Sequence, residues 1–263
     1  MDKRPIGVLD SGLGGLTVLK KVVDKLPNEN TIFIGDQKNM PYGDKSRQEI
    51  IDLTRKSVDF LLSKNVKVII FGCNTATAWA MEEIQKEIPV QIIGVIHSGA
   101  LAASKTTAEN KVVVLATQAT VKSEAYTKQL HKRNSQIEVK ELSEPRLAPL
   151  VEQNPSEEIK KQVVKESLAP LKDIDYDTLI LGCTHYPLLK KEIEEVVGEN
   201  KKIVDPADQV AQYTYNVLKR DELLNNEENA KHEYYTTGDA EKFKEIARVW
   251  MDDPTLDADH IED

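Results

Sequence analysis

The sequence predicts an α/β protein built from two similar halves, each with a mostly parallel sheet. Three observations predict it. Short, continuously apolar runs alternate with amphipathic segments, the pattern of strands covered on both faces by helices. Two of those runs end alike, as Val68-Ile69-Ile70-Phe71-Gly72-Cys73-Asn74-Thr75 and as Thr178-Leu179-Ile180-Leu181-Gly182-Cys183-Thr184-His185. No shift of composition marks a linker between them.

Taken in order, Ile6-Gly7-Val8-Leu9 is a buried strand. Asp10-Ser11-Gly12-Leu13-Gly14-Gly15 then turns into a helix that runs to Leu26 and stops at Pro27-Asn28. Thr31–Gly35 is a second strand, followed by Asp36 and the loop Met40-Pro41-Tyr42-Gly43. Ser46 with Glu49 is a capping box opening a helix, and helical spacing assigns Ile50, Leu53, Val58, Leu61 and Leu62 to its buried face. Strand 66–71, the first Gly-Cys, a helix to Glu87 and strand 90–95 complete the first set. The pattern restarts near His97 with a helix over 98–108, a strand at 112–115, a helix to Arg133 and a strand at 137–142. A short helix at 147–151 ends near Glu152, and 156–171 is helical. Strand 178–181 reaches the second Gly-Cys, and Pro187 sits early in the next helix, where its missing N–H costs little. A strand at 202–204, a helix at 206–218, a strand at 233–237 and a helix at 241–250 follow. The acidic stretch from Asp252 to Asp263 is poor in apolar residues and is expected to fray.

Composition narrows the function. The chain has 263 residues, 40% hydrophobic and 30% charged, enough to bury a substantial core and too apolar for disorder. A formal net charge of −9 makes nucleic acid a poor partner. No apolar run approaches the roughly 20 residues of a spanning helix, and the run after Met1-Asp2-Lys3-Arg4-Pro5 is too short for a signal-peptide core. A cytoplasmic protein with no membrane partner is the expectation. In a reducing compartment, Cys73 and Cys183, the only two cysteines, are reactive or inert thiols rather than a staple.

In open parallel sheets, ligands bind beyond the carboxyl ends of the strands. Four strand ends carry polar or reactive groups: Asp10-Ser11, Cys73-Asn74-Thr75, Thr117 to Thr120, and Cys183-Thr184-His185. A cysteine there feels the positive end of a helix dipole, which favours its thiolate. The N–H groups of Asn74, Thr75, Thr184 and His185 can receive a carboxylate. A lone cysteine is more often a small buried hydrophobe, but two in matched positions point to chemistry. A dithiol couple lacks its C-x-x-C spacing, and zinc lacks a ligand set, the five histidines (His97, His131, His185, His232, His260) being scattered. Gly12-Leu13-Gly14-Gly15 fails the dinucleotide spacing because position 17 is Thr, so NAD is rejected. The remaining chemistry is a pair of bases on opposite faces of a carbon acid: one thiolate takes a proton, the opposing thiol returns one, and a stereocentre inverts.

The motifs Val8-Leu9-Asp10-Ser11-Gly12-Leu13-Gly14-Gly15, Pro41-Tyr42-Gly43, Gly72-Cys73-Asn74-Thr75-Ala76, Pro149-Leu150-Val151-Glu152 and Gly182-Cys183-Thr184-His185-Tyr186-Pro187 together resemble the glutamate racemase family of bacteria. The resemblance implies two pseudo-symmetric α/β domains with mostly parallel sheets and an active site at their interface. It implies a first domain over 1–96 plus 210–263 and a second over 97–209. It further implies cofactor-independent interconversion of L- and D-glutamate, supplying D-glutamate for peptidoglycan and so for cell shape, in a homodimer with no metal. Carried over by position, Cys73 resembles the base acting on D-glutamate and Cys183 the base acting on L-glutamate. Asp10 then assists Cys73, His185 assists Cys183, and Glu152 is a nearby carboxylate. Asp10, Ser11, Tyr42, Gly43, Asn74, Thr75, Thr117, Thr120, Thr184 and His185 match substrate-contact positions. One departure stands out: where many relatives carry Cys-Pro, this chain has Glu144-Pro145-Arg146-Leu147-Ala148.

Plainer roles exist for single residues. Asp10 can cap the following helix, and Tyr42 can be a surface loop residue. For the whole chain, the competitors are an aspartate racemase, a protein-binding module such as an inhibitor of DNA gyrase, and a thiol redox enzyme.

Overall fold

The computed structural model describes residues 2–262. The chain divides into two compact units, Met1–Val95 with Ala207–Asp263, and Ile96–Pro206. The first contains β1 (Ile6–Asp10), α1 (Leu16–Lys25), β2 (Thr31–Gly35), α2 (Arg47–Ser63), β3 (Val68–Phe71), α3 (Asn74–Trp79), α4 (Met81–Gln85) and β4 (Ile92–Gly94). Helix α5 (Val95–Thr106) leads into the second, with β5 (Lys111–Ala116), α6 (Gln118–Ser123), α7 (Ala125–His131), β6 (Glu138–Ser143), α8 (Leu147–Gln153), α9 (Glu157–Ser167), β7 (Thr178–Gly182), α10 (Lys190–Val197) and β8 (Lys202–Val204). Helix α11 (Pro206–Arg220), β9 (His232–Thr236), α12 (Ala240–Met251) and β10 (Asp259–His260) belong to the first unit again, apart from Pro206.

All strand pairings are parallel. The first sheet runs β10-β9-β2-β1-β3-β4 and the second β6-β5-β7-β8. Stripped of β9 and β10, the two orders are the same: second strand, first, third, fourth. Cys73 follows the third strand of one set and Cys183 the third strand of the other. The central strands are buried along their whole length, as expected for sheets covered on both faces. The glycine before each cysteine has a steric cause. A Cβ on Gly72 would meet the Leu9 carbonyl oxygen at 3.0 Å, and one on Gly182 would meet that of Leu115 at 2.9 Å. In both units the third strand leaves its sheet hard against the first, where a side chain would crowd the backbone.

The Ser46–Glu49 capping box is present at the start of α2. The buried face of that helix is Ile50, Ile51, Thr54, Ser57, Val58 and Leu61. Leu53 and Leu62, expected inside, are part-exposed at the flanks of the stripe, because 3.6-residue periodicity sets them off its centre. The expected single helix before Arg133 is two, broken where Glu124 adopts a left-handed conformation with φ 55°.

From Asp252 to Glu262 the acidic C-terminal stretch does not fray, and Asp263 lies outside the described residues. β10 pairs with β9, and the Ile261 N–H donates to the Thr236 carbonyl at 2.9 Å. Leu256 and Ala258 are buried, the Arg248 Nε donates to the Leu256 carbonyl at 2.9 Å, and Lys244 reaches Asp257 at 3.2 Å. Two apolar anchors, a parallel pairing and two cations outweigh a composition that reads as solvated. Among the described residues, no helix is long and apolar enough to cross a membrane.

Candidate active site

In the first unit the relevant groups stand at the carboxyl ends of β1, β2 and β3. Cys73 caps the N-terminus of α3 with its side chain: Sγ accepts from the Ala76 N–H at 3.5 Å and donates to Ser11 Oγ at 3.4 Å. Asp10 is almost fully buried, and its Oδ2 accepts from the Gly12 N–H at 2.9 Å. It does not cap α1, whose N-cap is Gly15 with no side-chain bond. The carboxylate folds the Asp10–Gly12 turn, which places Ser11 beside the sulfur.

Tyr42 is no surface residue. It lies buried in a 3-10 turn, Tyr42–Asp44, which also holds Gly43. Its hydroxyl donates to Asp36 Oδ2 at 2.6 Å. Burial first, then the Asp36 carboxylate, then the charges of Cys73 and Asp10 hold this phenol far above its ordinary range. Asn74 and Thr75, the first residues of α3, are buried beside Cys73.

The second unit repeats the plan with different chemistry. Cys183 Sγ lies 3.8 Å from His185 Nδ1, and His185 Nε2 lies 2.8 Å from Glu152 Oε1 on α8. Burial alone would push the imidazole down, but hydrogen bonds to Cys183 and Glu152 and the charges of both outweigh it, raising His185 to about 10. The ring is therefore a doubly donating imidazolium at neutral pH. Glu152 keeps a quarter of its side chain exposed, so the triad runs from a buried sulfur toward solvent. Thr184 is buried next to the thiol. Thr117 caps α6 by accepting from the Thr120 N–H at 3.3 Å, and its hydroxyl donates to that of Thr120 at 3.0 Å.

The structure thus joins Cys73 to Ser11, and Cys183 to His185 and Glu152, while Thr117 and Thr120 bond each other. Sequence reasoning passed over Asp36, Tyr126 and Tyr186. The Tyr186 hydroxyl donates to the Glu144 carbonyl at 2.8 Å, and the Glu144 side chain pairs with Arg146 at 3.1 Å. Tyr126 and Tyr186 are fully buried, which drives both phenols well above their ordinary range, with the charge of Cys183 adding to it. A signal was there for Asp36: it follows β2 as closely as Asp10 ends β1. Tyr126 read only as a helix residue, and Tyr186 stood in a family motif with no role assigned to it. Among the described residues, no group of three or more His, Cys, Asp or Glu could hold a metal ion.

Comparison with known proteins gives concordant matches. The family model for Asp/Glu/Hydantoin racemase matches residues 6–214. The glutamate racemase of Lactobacillus johnsonii is 66% identical over 263 residues, covering 100% of this chain and 99% of the relative. Among solved structures, a glutamate racemase isoform of Bacillus anthracis superposes with a TM-score of 0.96 at 38% identity, covering 100% of this chain and 98% of that one. Glutamate racemase of Francisella tularensis, solved in complex with D-glutamate, superposes at 0.92 with 35% identity and the same coverage, 100% and 98%.

Proposed function

We propose that this chain, which belongs to the Asp/Glu/Hydantoin racemase family, interconverts L- and D-glutamate without a cofactor, using Cys73 and Cys183 as opposed bases. One observation carries the assignment of the bases. The chain's only two cysteines each follow a glycine at the end of the third strand of the same strand order. The bound D-glutamate of the Francisella relative supports glutamate as the substrate.

The chemistry needs both sulfurs to reach one α-carbon. One thiolate takes the Cα proton and becomes a thiol, leaving a planar carbanion. The opposing thiol gives its proton to the other face and becomes a thiolate. Nothing is oxidised or reduced, and the pair ends with its protonation states exchanged. Cys183 acts on L-glutamate, helped by the positive charge of His185, which Glu152 holds in place. Cys73 acts on D-glutamate, with Asp10 shaping the turn that brings Ser11 to its sulfur. Ser11, Tyr42, Gly43, Asn74, Thr75, Thr117, Thr120 and Thr184 hold the substrate's carboxylates and ammonium. The product serves peptidoglycan synthesis and cell shape, in the cytoplasm, from a homodimer.

The test is loss of optical rotation from L-glutamate in heavy water with no added cofactor. Product D-glutamate should carry deuterium at Cα. Protium retained there, or turnover surviving Cys73→Ala, would end the two-base proposal.

A further inference from the structure

Tyr42 has one hydroxyl proton, and it is committed. It goes to Asp36 Oδ2 at 2.6 Å. The other oxygen of that carboxylate, Oδ1, accepts from Thr237 Oγ1 at 2.7 Å and from Asn39 Nδ2 at 3.0 Å. Thr237 is itself pinned: its N–H donates to the Gly35 carbonyl at 3.2 Å, and its Oγ1 accepts from the Lys38 N–H at 3.1 Å. Tyr42, Asp36 and Thr237 are all buried, at 3%, 2% and 6% exposure. Thr237 directly follows β9, a strand that has no counterpart in the second unit. The added strand thus braces the loop between β2 and Tyr42 from outside the duplicated plan.

A carboxylate only accepts hydrogen bonds, and a phenol that donates to one is left with acceptor capacity alone. The Tyr42 oxygen therefore has nothing to give a substrate carboxylate. It can receive an N–H. We propose that Thr237 is a positioning residue that, through Asp36, fixes the Tyr42 hydroxyl as an acceptor for the substrate ammonium. This deepens the racemase proposal and rests on it. The turn Tyr42–Asp44 packs against α3, the helix that Cys73 caps, so the residue that carries this hydroxyl stands beside the first thiol.

The experiment compares Thr237→Val, which removes the hydroxyl at nearly constant shape, with Thr237→Ser, which keeps it. Thr237→Val should raise KM for both enantiomers about tenfold and leave kcat within about twofold, the size of one hydrogen bond to a charged group. Thr237→Ser should stay within about twofold of the wild type. Glutarate, which has both carboxylates and no ammonium, is the second probe. Its inhibition constant should be unchanged in Thr237→Val and in Tyr42→Phe, while glutamate weakens in both. An unaltered KM in Thr237→Val overturns the positioning role. Equal weakening of glutarate and glutamate overturns the ammonium assignment, and Tyr42→Phe tests that arm alone should Thr237→Val fail to fold. Failure of the parent proposal looks different: the wild type would not racemise glutamate, and the positioning role would fall with it.

Discussion

The two thiols occupy the same place in the same strand order, yet their surroundings differ in kind. Cys73 meets a helix N–H and the Ser11 hydroxyl. Cys183 meets an imidazolium backed by a carboxylate. A duplicated scaffold fixes where each sulfur stands and leaves the segments that follow the strands free to set its electrostatics, His185 following the third strand of the second unit. After the second strand, one unit brings in the turn that carries Tyr42 and the other brings in α8, which carries Glu152. The contrast teaches that two equivalent positions need not be chemically equivalent. A racemase nevertheless has to serve both enantiomers, because the equilibrium constant between them is one.

The harshest way to break the comparison removes a sulfur. Cys73→Ala and Cys183→Ala should each lower racemisation by about a thousandfold or more, the scale of losing a general acid–base group. If only one substitution abolished turnover, the two cysteines would not be partners in one proton exchange.

A second test asks whether His185 belongs to one proton transfer only. His185→Gln and Glu152→Gln should lower kcat/KM about ten- to a hundredfold. Thermodynamics requires that fall to be the same from either enantiomer, so rate constants hide the asymmetry. Isotope effects reveal it. With the Cys183 step slowed, α-deuterated L-glutamate should give a larger isotope effect than in the wild type, and α-deuterated D-glutamate a smaller one. Equal changes for both enantiomers would detach His185 from Cys183.

Ser11→Ala is the corresponding probe on the first side. The S–H···O contact at 3.4 Å is weak and neutral, so kcat/KM should fall no more than about fivefold. A loss as large as that of His185→Gln would erase the distinction between a hydroxyl contact and an imidazole contact.

Much of this was legible in the sequence, for physical reasons that differ by element. Continuous apolar runs located the buried strands, since strands covered on both faces show no alternation. The Ser46–Glu49 pair located α2, since a capping box is a local bond within four residues. The paired Gly-Cys turns marked the candidate site, since crowding against the first strand favours glycine at both places. What stayed hidden depends on contacts distant in sequence. The Asp36–Thr237 bond spans 201 residues, and no local pattern reports it. The His185–Glu152 bond spans 33, and only the family resemblance put those residues in one site. The ordered C-terminal stretch was misread because its anchor β9 is itself held in the sheet by β2, some two hundred residues away, and composition reports neither pairing.

The mildest prediction concerns stability. The folded chain holds the His185 proton up to about pH 10, against an ordinary value of 6.5 for the unfolded chain. A group whose folded pKa is raised contributes stability that is complete below the unfolded pKa, shrinks through the interval, and is gone above the folded one. The contribution from His185 is therefore full below about pH 6.5 and lost by about pH 10. The difference in melting temperature between the wild type and His185→Gln should narrow steadily across that window. Lysines and tyrosines that titrate near its upper end do so in both proteins and cancel in the difference. The contact between Cys73 and Ser11 joins a thiol and a hydroxyl, so Ser11→Ala should show no comparable slope over the same interval. A gap for His185→Gln that stayed constant or widened as pH rose would mean that the folded ring is neutral, and the charged half of the comparison would fail.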